Sequence, residues 1–172
     1  MTLTLSITES QVFIGLRAWL MDVTGLDGDH VVKELSNRVP MPIGDFVNMQ
    51  CVTKQNLTLP ITSDGVLDTQ TFTQPTDYGI QVDCYGPNSG DYSKIITTMW
   101  RTDFAFLFLK DYGIVPLWCD DAKEMHIVNS ENQYEERWVS TFHLQYDPAV
   151  TLSQDFADSA TVETIDTTRV YP

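Results

Sequence analysis

The sequence predicts an α+β fold: a mostly antiparallel or mixed β-sheet with two or three helices packed on one face, plus an extended hairpin arm. Two observations carry this reading. Helical and strand-like segments follow one another as helix, several strands, helix, several strands, the order of folds that gather their helices on one face of a sheet. The strands also outnumber the crossover helices too far for a doubly wound sheet, in which each parallel step needs its own long connection.

The first helix is the most plainly written element. Thr8, followed three residues later by Gln11, makes a capping box, and Ile7 and Val12 stand where a hydrophobic staple would place them. Val12, Leu16, Trp19, Leu20 and Val23 form one apolar stripe, and Gly25 suits a left-handed stop, so the helix spans residues 8–24. "HVVKEL" reads as a short strand. In "SNRVPMPIGDF" the prolines Pro40 and Pro42, one residue apart, forbid a helix and stiffen the connection. "FVNMQCVTK" sets Phe46, Asn48 and Gln50 against Val47, Met49 and Cys51, a mixed alternation with strand composition. Residues 55–76 are rich in Thr, Leu, Asp and Gln around one "SDG" turn, and their two-sided polarity predicts an arm that projects from the body.

In "YGIQVDCY", Ile80, Val82 and Cys84 alternate with Gln81, Asp83 and Tyr85, the pattern of a strand covered on one side. "GPNSGD" then turns the chain into a helix, with Asn88 and Asp91 spaced for capping. Tyr92, Ile95, Ile96, Met99 and Trp100 recur at helical spacing, and "TDFAFLFLKDYG" continues as a further helical segment that stops at Gly113. "IVPLW", "EMHIV" and "ERWVSTFHLQY" read as strands, the last with Trp138, Phe142, Leu144 and Tyr146 on one side, and "ATVETIDTTRV" as a final edge strand. With no internal repeat or low-complexity tract, residues 1–172 are expected to form a single domain.

Composition bounds the function. A chain of 172 residues with 42% hydrophobic and 11% aromatic residues has the material for a core. Its 24 acidic against 10 basic residues give a formal charge of -14, which repels a phosphate backbone and disfavours tight nucleic-acid binding. No basic n-region with an apolar core opens the chain and no apolar run reaches membrane-spanning length, so a soluble, cytosolic product with no membrane partner is expected. Cys51, Cys84 and Cys119 are too widely spaced for a zinc pair or a disulfide framework.

The residues that could carry chemistry do not converge on a catalytic pattern. "YGPNSGDYSK" lacks both phosphate-loop fingerprints and is flanked by Asp83 and Asp91, so it reads as a joint between strand and helix. Cys84 with His143 as base would make a small thiol hydrolase, but the alternation turns Cys84 toward the core, where cysteine is usually found. Cys119, Asp120, Asp121, Glu124 and His126 gather in "WCDDAKEMH" without zinc or EF-hand spacing, and a solvated acidic turn is the simpler reading. No cofactor or metal is expected.

Taken in order, "NRVPMPIGDFVNMQ", "GIQVDCYGPNSGDYSKIITTMWRTD", "YGIVPLWCDD" and "QYEERWVSTFHLQYDP" resemble the neck or tail-terminator proteins of long-tailed bacteriophages, across about residues 8–170. The resemblance implies a structural virion protein that assembles as a ring, commonly a hexamer, at the head-proximal end of the tail. Such a ring would end growth of the tail tube, meet the head connector or a head-completion protein, and let genomic DNA pass without specific binding. It implies a location at the virion neck, with assembly in the host cytoplasm. Carried onto this chain, it makes Asn37, Arg38, Pro40 and Pro42 candidate contacts with a neighbouring subunit. A head-completion or connector protein of the neck, and the thiol hydrolase of Cys84 and His143, are the alternatives.

Overall fold

The computed structural model describes residues 3–33, 40–64, 69–128 and 134–153. Helix α1 (Glu9–Thr24) begins at the expected capping box. The Gln11 amide donates to Thr8 Oγ1 at 3.3 Å while the Thr8 amide donates to Gln11 Oε1 at 2.8 Å, so two otherwise orphaned N–H groups are satisfied. Gly25 ends the helix at φ 71°, its N–H returning to the Met21 carbonyl. Strand β1 (Val31–Lys33) then runs parallel to β2 (Phe46–Asn56), the one parallel pairing in the main sheet among the described residues.

The arm follows as β3 (Ile61–Asp64) and β4 (Thr69–Thr73), and the chain re-enters the body through β5 (Thr76–Tyr85). Helices α2 (Ser89–Trp100) and α3 (Asp103–Leu109) come next, then β6 (Ile114–Cys119), β7 (Lys123–Glu124), β8 (Ile127–Val128), β9 (Tyr134–Glu135), β10 (Arg137–Tyr146) and β11 (Ala149–Ser153). The main sheet has the order β1-β2-β5-β10-β6, with β7 also paired to β10. A mixed, mostly antiparallel sheet with three helices is the α+β architecture that the sequence predicts.

Between sheet and helices lies the core. Val47, Met49, Ile80, Val82, Phe142 and Leu144 from the strands meet Val12, Leu16, Trp19, Leu20, Ile96 and Trp100 from the helices. Trp100 holds the layers together edge-on: its ring meets Trp19 at 5.2 Å and Phe142 at 5.1 Å, and its indole N–H donates to the Trp118 carbonyl at 3.2 Å. Such aromatic crossings contribute roughly 0.5–1.5 kcal/mol each beyond the area they bury.

A bulge in β2 decides what reaches the helices. Cys51 pairs with Ile80 but Thr53 with Gly79, so Val52 is an extra residue that reverses the facing of everything after it. Lys54 consequently points to the helix side, where it pairs with Glu9 at the start of α1 and lies 5.7 Å from the Tyr78 ring centroid. The same reversal puts Thr53 on the far side beside Gly79, where a Cβ would stand 2.0 Å from Thr53 Oγ1. Glycine is what leaves room for that side chain.

Three expectations are corrected. The strand β5 is closed on both sides: Asp83 and Tyr85, expected to face solvent, are 1% and 5% exposed, because β5 lies between β2 and β10 and its far side carries its own polar network. "EMHIV" is not one strand but two, β7 and β8, separated by Met125 and His126. Asn88 does not cap α2 with its side chain; that side chain is engaged by Asp45. The extended hairpin arm is present as β3 paired with β4, and β11, which the alternation does not announce, pairs along β4 and makes a three-stranded antiparallel sheet, the least that gives such a ribbon independent support. The segment "ATVETIDTTRV" lies outside the described residues.

Candidate interaction surfaces

The "GPNSGD" segment is a joint, and its partner is the proline loop. Asp45 Oδ1 accepts from the Asn88 backbone N–H at 2.9 Å, and Oδ2 accepts from Asn88 Nδ2 at 2.7 Å. Gly86 sits at φ 100°, where a Cβ would meet Asp45 Oδ1 at 2.4 Å and the Asp45 Cα at 2.8 Å. Two charge-assisted hydrogen bonds thus fasten the loop that contains Pro40 and Pro42 to the start of α2. On this fixed base the loop carries Pro40 exposed, Pro42 half-buried and Ile43 94% exposed. Asn37 and Arg38 lie outside the described residues.

The sheet face away from the helices carries two buried polar pairs, although Asn48 Oδ1 and Arg137 Nε on it are buried without a hydrogen-bond partner among the described residues. At one end the buried Asp83 accepts from Arg137 Nη2 at 2.9 Å and from Gln81 Nε2 at 2.8 Å, and Tyr85 stacks on Phe46 at 4.5 Å. Burial raises the Tyr85 hydroxyl above its ordinary pKa. At the other end His143 Nδ1 lies 3.0 Å from both oxygens of Asp77, and Trp118 stacks flat on the imidazole at 4.1 Å.

This geometry separates the two residues of the thiol-hydrolase alternative. Cys84 pairs with Trp138 in the β5–β10 register and faces the helices, whereas His143, five positions further along β10, faces the other way beside Gly79. At about 3.3 Å per residue the two lie roughly 16 Å apart along the sheet. Burial, reinforced by the charge of Asp83, pushes the Cys84 thiol up to about 12, the opposite of what a nucleophile needs. Cys119 is likewise buried and raised, chiefly by desolvation. The neighbouring acidic residues serve the turn: Arg101 Nη2 donates to the Cys119 carbonyl at 2.9 Å and to Asp121 Oδ1 at 3.2 Å. Among the described residues no group of three or more His, Cys, Asp or Glu side chains is placed to hold a metal ion.

Two apolar surfaces that the sequence reading does not single out are the most open. On α3, Phe104, Phe106 and Leu107 are 40%, 46% and 55% exposed, while Ala105 and Leu109 are buried against the body. The sequence signal was present in "DFAFLFL": six apolar residues in succession cannot all fit one buried stripe, and a helix that is apolar all round belongs inside something. On the arm, Leu57, Leu59 and Ile61 are 46%, 85% and 55% exposed. Among the described residues no helix is long and apolar enough to cross a membrane.

Cys84 and Cys119 shut in the core, ion pairs within the sheet and open apolar side chains on α3 and the arm are the features of a subunit built for assembly. A search of curated proteins finds no match. A family model of the phage neck terminator proteins matches residues 10–170, and the chain belongs to that family. Its role is therefore structural, in the neck and tail of a bacteriophage.

Proposed function

We propose that this chain, as a single domain, ends polymerisation of the tail tube as a homo-oligomeric, hexameric ring at the head-proximal end of the tail. In that position it meets the tail tube protein on one side and the head connector or head-completion protein on the other, and genomic DNA passes through the ring without specific binding. The family match over residues 10–170 carries this reading. The formal charge of -14 supports it, because six copies give 6 × -14 = -84, a field that repels DNA from the wall of a channel. Asn37, Arg38, Pro40 and Pro42 are contacts with a neighbouring subunit or neck protein: the prolines of the described loop lower its flexibility before binding, and Ile43 stands out from it as an apolar knob.

Removal of the gene product from an infection is the decisive test. The expected outcome is filled heads together with unjoined tails of uncontrolled length, seen by electron microscopy. Tails of normal length that still attach to heads would refute the terminator role. In solution, self-repulsion at this charge should ease as salt rises toward physiological ionic strength, where the Debye length is about 8 Å. Native mass measurements should accordingly show the ring gaining subunits from low to moderate salt.

A further inference from the structure

We infer that successive subunits are joined by the arm of one copy lying on the α3 face of the next. The inference rests on the ring reading above and goes beyond it by naming the two surfaces in contact.

Charge is the first observation. One residue in five of this chain is charged, 20% overall, yet residues 55–63, 69–76 and 149–153, which make up the described arm around Asp64, contain no Asp, Glu, Lys or Arg. Copies that each carry -14 repel one another, so the contact least opposed by charge is made through surfaces that carry little of it, and the described arm has Asp64 alone. Leu59 and Ile61 are open on that arm. Among the described residues β3 pairs only with β4, which leaves its outer edge as a row of unmatched backbone donors and acceptors.

Symmetry is the second. A contact between identical copies that closes a ring of more than two joins two different patches of the chain, whereas a self-complementary patch stops at a dimer. The arm therefore needs a receiving surface elsewhere on the same chain. The far face of the main sheet is unsuited, since it carries the Asp83–Arg137 and Asp77–His143 pairs. The loop at Ile43 is a knob rather than a face. Residues 104–109 of α3 are uncharged, and Phe104 and Leu107, three residues apart and so neighbours on the helix surface, stand open beside Phe106. Leu59 and Ile61 of a mostly polar, nearly uncharged arm, meeting an apolar helix face, are buried with it without stranding a basic or acidic side chain of that face.

The test uses two variants of the full chain, the arm variant Leu59→Asp/Ile61→Asp and the helix variant Phe106→Asp/Leu107→Asp. All four side chains are exposed, so each variant should keep the wild-type circular dichroism spectrum and melt close to it. Under conditions where the wild-type chain forms its ring, each variant alone should be monomeric by native mass spectrometry, with association weakened by about 30-fold or more, the scale of losing a central apolar contact. Mixed together, the two should form a one-to-one heterodimer and nothing larger, because the intact arm of the helix variant still fits the intact helix face of the arm variant. That product requires both variants to be folded. A mixture that remains monomeric, a mixture that restores the ring, or either variant assembling like wild type would each overturn the pairing. Rings that form normally from the arm variant but fail to stop tail tubes would place the arm on the tube protein instead, which also overturns it. A wild-type chain that stays monomeric at every salt and protein concentration would sink the ring reading itself, a separate failure.

Discussion

The pair Asp83 and Arg137 offers a prediction whose size follows from its unequal burial. The Asp83 side chain is 2% exposed and that of Arg137 22%. Removing one partner of a buried pair leaves the other charge without compensation, at about 3–5 kcal/mol. The two deletions should therefore differ. Arg137→Met removes the guanidinium, whose carbon lies 5.7 Å from the Tyr85 ring centroid, and strands a carboxylate that among the described residues keeps the Gln81 amide alone, so the full range, about 3–5 kcal/mol, is expected. Asp83→Ala strands a guanidinium with an outlet to solvent, and about 2–3 kcal/mol is expected. The double variant removes both charges and should recover at least about 2 kcal/mol of the sum of the singles. Urea unfolding at neutral pH, read as the midpoint shift at constant slope, measures all three. In thermal melts, a loss of 4 kcal/mol would appear as a decrease of roughly 8–16 °C. Additive single and double variants, or Asp83→Ala costing more than Arg137→Met, would refute the assignment of the stability to this pair.

Three further predictions concern the joint, the thiols and the base of the arm. Gly86→Ala should destabilise by about 2 kcal/mol or more, since a positive φ alone costs roughly 1–2 kcal/mol and the new methyl meets the Asp45 backbone; an unchanged urea midpoint would show that the joint is not tight. Cys84→Ser should lose more stability than Cys84→Ala, because the hydroxyl enters an apolar site, and the native thiol, pushed up to about 12, should label only as the protein unfolds; rapid labelling in the folded state would contradict both. The Lys54 hydrogen bond lowers the Glu9 carboxyl below its ordinary value of 4.5, so its contribution is present above that value and fades as pH falls through the lower, folded one. For so exposed a pair this is below about 1 kcal/mol: Glu9→Gln should flatten the acid limb of stability slightly and leave neutral pH nearly unchanged, and a large loss at pH 7 would show that Glu9 does more than pair with Lys54.

What the sequence made legible was local. Capping at Thr8 and Gln11, the stop at Gly25, the α2 periodicity and the alternation in β10 each depend on residues within a turn or two of one another, and each is found where the pattern puts it. What stayed hidden depends on pairing across the chain. Asn88 carries a capping residue's chemistry, but Asp45, 43 positions earlier, claims its side chain. Asp83 and Tyr85 read as a solvent face because no local pattern reveals Arg137 and Phe46 on the adjoining strands. Asn37 and Arg38, like the final edge strand, lie outside the described residues. The apolar excess of α3 was visible as composition, but only the fold shows which of its side chains the core leaves open.

The distribution of charge ties these surfaces to the proposed role. A formal charge of -14 opposes self-assembly as well as DNA binding, so a ring built from such chains needs places where the repulsion is absent. The uncharged stretches of the described arm on either side of Asp64, and α3 after Asp103, supply them, and the open side chains of Leu59, Ile61, Phe104, Phe106 and Leu107 gain from being covered. The charged groups of the central sheet are handled differently: Asp83 meets Arg137, and Asp77 meets His143, each within the subunit. On this division a substitution that adds charge to the arm or to α3 should act on assembly while leaving the folded subunit intact, and one that unpairs Asp83 should act on stability in the monomer and the ring alike.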